Sequence, residues 1–174
     1  HTAHKLKEYS NIKFVIVGDG HYTDEYVKEL HELAKNNPNI IFTGFQTGRT
    51  LAELFTHAYM VVHPSESEGL PVSVLEAMSF SKAILVSDIP ENLEAIKDNG
   101  FSFENKNIED LAKKMQDLLD NPQKVEKCAQ KSQKYVLKYY NWEDIAKNTS
   151  ILYNTVHYSN KNVCTKAIKY PTAV

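Results

Sequence analysis

Short apolar runs alternate with stretches whose apolar residues recur at helical spacing, and the alternation persists along most of the chain. Residues 13–17 form a β-rich run closed by Gly18-Asp19-Gly20, after which Tyr26, Leu30 and Leu33 fall on one face of a helix. Beyond the breaker Asn36-Asn37-Pro38, residues 39–42 read as a second strand. Residues 50–58 read as a short helix in which Thr50 and Glu53 form a capping box. The continuous apolar character of residues 59–63 predicts a third strand that is buried. Pro71 then opens a helix at its first position, which runs to Phe80. Residues 83–87 are the fourth strand, Asp88-Ile89-Pro90 leads into a helix ending near Lys97, and Asn99-Gly100 turns the chain into an extended segment at Phe101-Ser102-Phe103. Ile108, Leu111, Met115, Leu118 and Leu119 mark an amphipathic helix ended by Asn121-Pro122. Helices at 122–140 and 142–156 follow, with Tyr139, Tyr140 and Trp142 read as a buried aromatic plug. Residues 159–174 have weak periodicity and are expected to be irregular.

Strands that alternate with helices in this way form a parallel sheet covered on both faces, so the expected fold is α/β, doubly wound and mostly parallel. The 174 residues, 42% hydrophobic, suffice for one ordinary core, which gives a domain at 1–157 and an irregular tail at 158–174. The net charge is −2 with Lys and Arg scattered among Asp and Glu, which argues against nucleic acid or an anionic membrane as partner. No apolar run approaches the roughly 18 residues of a spanning helix, and no signal-peptide pattern opens the chain. Cys128 and Cys164 show neither metal spacing nor a disulfide framework and read as incidental thiols in a reducing compartment. The histidines are dispersed and no Asp-x-Asp pair is present, so no metal site is expected. Asn148-Thr149-Ser150 matches a glycosylation sequon but falls in a helical pattern, and reads as coincidence. The opening His1-Thr2-Ala3-His4, without Met and followed by a Lys-rich stretch resembling a helix end, reads as part of a larger protein.

In an open parallel sheet, ligands bind beyond the carboxyl ends of the strands, where loops lead into helix N-termini. The segment His63-Pro64-Ser65-Glu66-Ser67-Glu68-Gly69-Leu70 occupies such an end. Glu76 is the only charge on the helix after Pro71, and a lone carboxylate on a mostly buried helix requires polar partners or neutralisation. The amides of Gly69, Leu70 and Val72 are expected to be unpaired and, with the helix dipole, to favour a phosphate or diphosphate. Glu68 would then reach the group attached to the phosphate and Glu76 would accept from hydroxyls deeper in, roles that suit a sugar. The competing reading makes Glu68 a solvated loop carboxylate and Glu76 an ordinary surface residue. Gly18-Asp19-Gly20 resembles the start of a dinucleotide fingerprint, but Thr23 stands where the third glycine belongs, so a tight strand-to-helix turn accounts for it equally well. His63 is open between a core histidine and a ligand contact.

Taken together, Val17-Gly18-Asp19-Gly20, Ile41-Phe42-Thr43-Gly44-Phe45, His63-Pro64-Ser65, the two glutamates around Gly69-Leu70-Pro71-Val72, and Val86-Ser87-Asp88-Ile89-Pro90-Glu91 resemble the C-terminal, donor-binding domain of the family 4 retaining glycosyltransferases, over residues 11–156. The resemblance implies the Rossmann-like C-terminal half of a GT-B fold. It implies transfer of a sugar from a UDP- or GDP-sugar to a glycan or lipid-linked acceptor with retention, without metal or other cofactor. Glu68 is then the catalytic residue at the donor hexose, and Glu76 binds the ribose. The backbone at Gly69, Leu70 and Val72 meets the diphosphate, Gly44 and Phe45 lie by the base, and Gly18 and Ser65 complete the donor-binding set. The family's preceding strand, with an Arg and a Lys that pair with the diphosphate, and its N-terminal acceptor domain are not in this sequence, so the chain by itself is expected not to turn over. Any membrane contact would run through those parts, in a protein that is cytoplasmic and at most peripheral at the inner membrane face. A non-catalytic nucleotide-sugar-binding module, or part of a sugar epimerase of similar architecture, is the alternative.

Overall fold

The computed structural model describes residues 1–6, 9, 11–20 and 24–162, so Thr23 and Cys164 lie outside it. The described residues fall into two compact units, one ending at Val136 and the other beginning at Leu137. In the first, β1 (Phe14–Ile16) pairs in parallel with β2 (Ile40–Phe42), while β3 (Met60–His63), β4 (Ala83–Ser87) and β5 (Phe101–Phe103) form a second parallel sheet in that order. The helices are α1 (Thr2–Lys5), α2 (Asp24–Ala34), α3 (Gly48–His57), α4 (Val72–Ser79), α5 (Pro90–Ile96), α6 (Ile108–Asp120) and α7 (Pro122–Tyr139), with α8 (Trp142–Asn162) in the second unit. Among the described residues, no helix is long and apolar enough to cross a membrane.

The core is organised around β4, whose five residues are all buried. Ala83 and Leu85 join Leu6, Phe103, Met115, Leu118, Val125 and Cys128 in one apolar cluster. Strand side chains alternate between faces, so Ile84 and Val86 point the other way, where α4 and α5 lie against β4 and bury Val74, Ala77, Met78, Ala95 and Ile96. Each fully buried Leu, Ile or Met contributes about 1.5–3 kcal/mol relative to exposure. The α6 cap forms as its sequence suggests: Asn107 Oδ1 accepts from the Asp110 N–H at 3.0 Å.

The two sheets share one core: Phe14 of β1 packs against the same cluster as Met60 and Val62 of β3. α1 packs on α6, and Lys5 Nζ lies 2.6 Å from Glu109 Oε1.

Several local expectations change. β3 is only half-buried along its length, because among the described residues β4 is its single strand partner. On α2 the less exposed residues are Val27, Leu30 and Ala34, whereas Tyr26 is 60% exposed and Leu33 lies outside that stripe. The helix is held to β2 instead by His31 stacked on Phe42, ring centroids 4.0 Å apart. α3 begins at Gly48, which places Thr50 inside it, and Thr47 at its N-cap makes no side-chain capping bond; Glu53 pairs with Arg49 at 2.8 Å. No capping box forms. Trp142 is 81% exposed rather than a plug, since the α8 start is fixed by Asn141 Oδ1 accepting from the Asp144 N–H, and the indole projects from the first turn. α8 runs to Asn162, past the expected end at Val156; residues 163–174 lie outside the described residues.

Candidate functional site

The carboxyl ends of β1, β2 and β3 each release a loop carrying residues that the sequence singles out. At the ends of β1 and β2, the Gly18 N–H donates to Gly44 O at 2.9 Å, which extends the pairing by one rung. Both glycines have positive φ, 132° at Gly18 and 65° at Gly44, and the space where a Cβ would sit is open, so backbone conformation rather than crowding demands glycine there. Phe45 follows with its ring 71% exposed.

The β3–α4 loop carries the second group. His63 ends β3, and its Nε2 lies 2.7 Å from Glu68 Oε1; its Nδ1 lies 3.4 Å from Ser73 Oγ in the first turn of α4. The histidine and glutamate side chains are 21% and 23% exposed. Burial pushes the Glu68 carboxyl up, but hydrogen bonds from Ser65 and His63, together with attraction to the imidazole, outweigh it and hold the group below its usual value. Glu68 is thus an ionised acceptor over the whole neutral range. The Ser65 hydroxyl also faces the Ser67 carbonyl at 3.0 Å.

Two contacts brace this loop against its neighbours, and a third group supports one of them. Ser87 Oγ, at the end of β4, donates to Ser65 O. Asn92 Nδ2 in turn donates to Ser87 Oγ at 3.0 Å and to Ser87 O at 3.2 Å. Lys106 Nζ, beyond β5, lies 2.9 Å from Glu66 Oε2. The family-like stretch Val86-Ser87-Asp88 therefore acts through support: Asp88 Oδ1 also accepts from the Asn105 N–H at 2.8 Å, which fixes the loop bearing Lys106.

Pro71 is the N-cap of α4 rather than its first helical residue, and α4 begins at Val72. The Val72 N–H donates to Leu70 O at 2.8 Å, so it is not one of the free donors expected there. Gly69 and Leu70 keep their amides without a protein acceptor among the described residues, at an exposed turn leading into the positive end of α4. Glu76 sits one turn into α4 on the exposed face, with Val74, Ala77 and Met78 turned into the core. Its carboxylate has no hydrogen bond or ion pair among the described residues, so exposure rather than a polar pocket resolves the lone charge. Glu68, Ser65, Gly69, Leu70, Val72 and Glu76 thus share one loop and helix start, while Gly18, Gly44 and Phe45 form a separate group with no hydrogen bond to them. The sequence reading missed the Ser73–His63–Glu68 chain and the Lys106–Glu66 tie. A histidine at a strand end five residues before a glutamate was the available signal for the first.

Comparison with known proteins bears on the family and the fold. A glycosyltransferase of Methanocaldococcus jannaschii described as uncharacterised is 32% identical over 151 residues, 86% of this chain and 38% of its own length. Among solved structures, TarM of S. aureus, as a mutant crystallised with fondaparinux, α-GlcNAc-glycerol and UDP, is 26% identical with a TM-score of 0.73, covering 86% of this chain and 30% of that one. The C-terminal domain of the group 1 glycosyl transferase LpcC from Francisella tularensis is 27% identical with a TM-score of 0.70, covering 79% of this chain and 74% of that one. These agree on an α/β C-terminal half of a GT-B fold, and the chain spans 30–38% of the length of its first two curated relatives. The sequence model of the glycosyl transferases group 1 matches residues 1–135, and the chain belongs to that family.

Proposed function

We propose that this chain is the donor-binding half of a retaining glycosyltransferase that moves a sugar from a UDP- or GDP-sugar to a glycan or lipid-linked acceptor, without a required metal. The observation that carries the reading is the placement of two accessible carboxylates, Glu68 and Glu76, on either side of the free Gly69 and Leu70 amides at the carboxyl end of β3. That spacing suits a ligand with a sugar at one end, a diphosphate in the middle and a ribose at the other. The diphosphate would lie on the Gly69–Leu70 turn, where amides and helix dipole offset the charge that grows as the sugar C1–oxygen bond breaks. Glu68 would hold a hexose hydroxyl and Glu76 the ribose hydroxyls. Gly18, Gly44 and the exposed Phe45 ring would border the base. The chain's share of catalysis is orientation and charge stabilisation, and the bond-making acceptor would come from the rest of the protein.

Calorimetry on the full-length protein with a nucleoside diphosphate and the matching nucleotide-sugar tests the assignment. Glu76→Gln should weaken both ligands, since hydroxyl bonds to a charged acceptor are worth roughly 1.5–3 kcal/mol. Glu68→Gln should weaken only the sugar-bearing one. Equal losses for both variants with both ligands would refute the division. The 174-residue chain assayed alone with a donor and acceptor panel should give no transfer.

A further inference from the structure

We propose that His63 is a positioning residue that holds Glu68 by one oxygen, with Ser73 setting which ring nitrogen carries the proton. A neutral imidazole offers one N–H and one lone pair, and an ionised carboxylate can only accept. The Nε2 atom 2.7 Å from Glu68 Oε1 must therefore carry the hydrogen, which leaves Nδ1 as an acceptor. The group facing Nδ1 is a hydroxyl, Ser73 Oγ at 3.4 Å, and a hydroxyl can turn its proton toward the ring. Donor and acceptor capacities along Ser73, His63 and Glu68 then match without any group left over.

The placement of the three residues gives this chain its use. His63 belongs to β3, in register with Val86 of the fully buried β4, and Ser73 belongs to α4. Glu68 by contrast is on a loop and has three rotatable bonds, whose freedom opposes any fixed geometry. The imidazole transfers the order of strand and helix to the loop carboxylate. With Oε1 engaged by His63, an incoming hydroxyl would meet a carboxylate of fixed direction and would compete there with the Ser65 hydroxyl, which also bonds Glu68, rather than with a freely rotating pair of oxygens. This inference rests on the reading of Glu68 as the contact to the donor sugar.

The test uses His63→Leu, His63→Gln, Ser73→Ala and, as reference, Glu68→Gln in the full-length protein, each checked for an unchanged circular dichroism spectrum. UDP, GDP, UDP-glucose, UDP-N-acetylglucosamine and GDP-mannose are titrated by calorimetry. His63→Leu should weaken the bound nucleotide-sugar on the order of tenfold and leave its nucleoside diphosphate unaltered. His63→Gln, whose side-chain amide can donate to the same carboxylate, should recover most of that loss. In nitrogen NMR spectra recorded with the imidazole neutral, His63 should show the Nε2–H tautomer, and Ser73→Ala should mix the tautomers. Three results would overturn the proposal: full donor affinity in His63→Leu, equal loss of diphosphate and donor, or an Nδ1–H tautomer. If Glu68→Gln itself loses nothing, or no nucleotide-sugar binds, the donor reading fails instead.

Discussion

Lys106 Nζ and Glu66 Oε2 lie 2.9 Å apart, so the loop after β5 is tied to the loop after β3 across the end of β4. Both side chains are well exposed, at 66% and 62%, and such a pair contributes at most about 1 kcal/mol. Its residue carries a second property: Lys106 has φ 64°, in the left-handed region. Lys106→Ala removes the ion pair and keeps the backbone strain, whereas Lys106→Gly removes both. The glycine variant should therefore be the more stable of the two by about 0.5–1 kcal/mol in urea unfolding. Equal stabilities would mean that the left-handed conformation is not retained in solution.

Trp142→Ala should change stability by no more than about 0.5 kcal/mol, because the indole is exposed on the first turn of α8. Trp142 is the only tryptophan, so acrylamide quenching of the native protein reads its accessibility directly and should be strong. Weak quenching would restore the buried plug that the surrounding tyrosines suggest.

Gly100→Ala should destabilise by about 1–3 kcal/mol. A Cβ there would stand 2.9 Å from Ile96 Cδ1 and 3.3 Å from the carbonyl of Ile84 in buried β4, which has little room to yield. Ile96→Val removes the nearer atom, and in the Gly100→Ala background it should cost less than in the native protein. A thermodynamic cycle with no coupling between the two sites would contradict the contact.

Acid should expose the environment of Glu68. Its folded carboxyl lies below the ordinary 4.5, so the unfolded state binds the proton more readily and the group contributes stability that is full above that value. The contribution is lost as pH falls from about 4.5 through the depressed folded value. Glu68→Gln should accordingly destabilise at pH 7 and converge with the native protein in strong acid. Parallel stability curves across that range would show that His63 and Ser65 do not favour the ionised form.

The parallel α/β architecture was legible because β4 and the helices around it obey local rules: four apolar residues in a row closed by Ser87, Pro90 at a helix start, apolar positions at helical spacing along α6. What was not legible depended on partners distant in sequence. Burial of β3 could not be inferred from Met60, Val61 and Val62, whose exposure is decided by whether a strand lies beside them. The same limit applies to Val15, Ile16 and Val17, which read as part of a strand and are 39–42% exposed. In the site, the glutamates and the free Gly69 and Leu70 amides followed from loop position, while the loss of the Val72 donor followed from a turn geometry that composition does not encode. Lys106 reaches Glu66 across 40 residues, and no spacing rule would have paired them.

The open edge of β1 has a kinetic signature. Phe14 and Gly18 donate their N–H groups toward β2, and alternation turns those of Val15 and Val17 the other way. Among the described residues these two N–H groups have no backbone acceptor and lie beside apolar side chains, an arrangement that can receive an extended chain. Amide exchange at Val15 and Val17 should be fast while Phe14 is protected, and slowing of the two valines together would register the arrival of a strand.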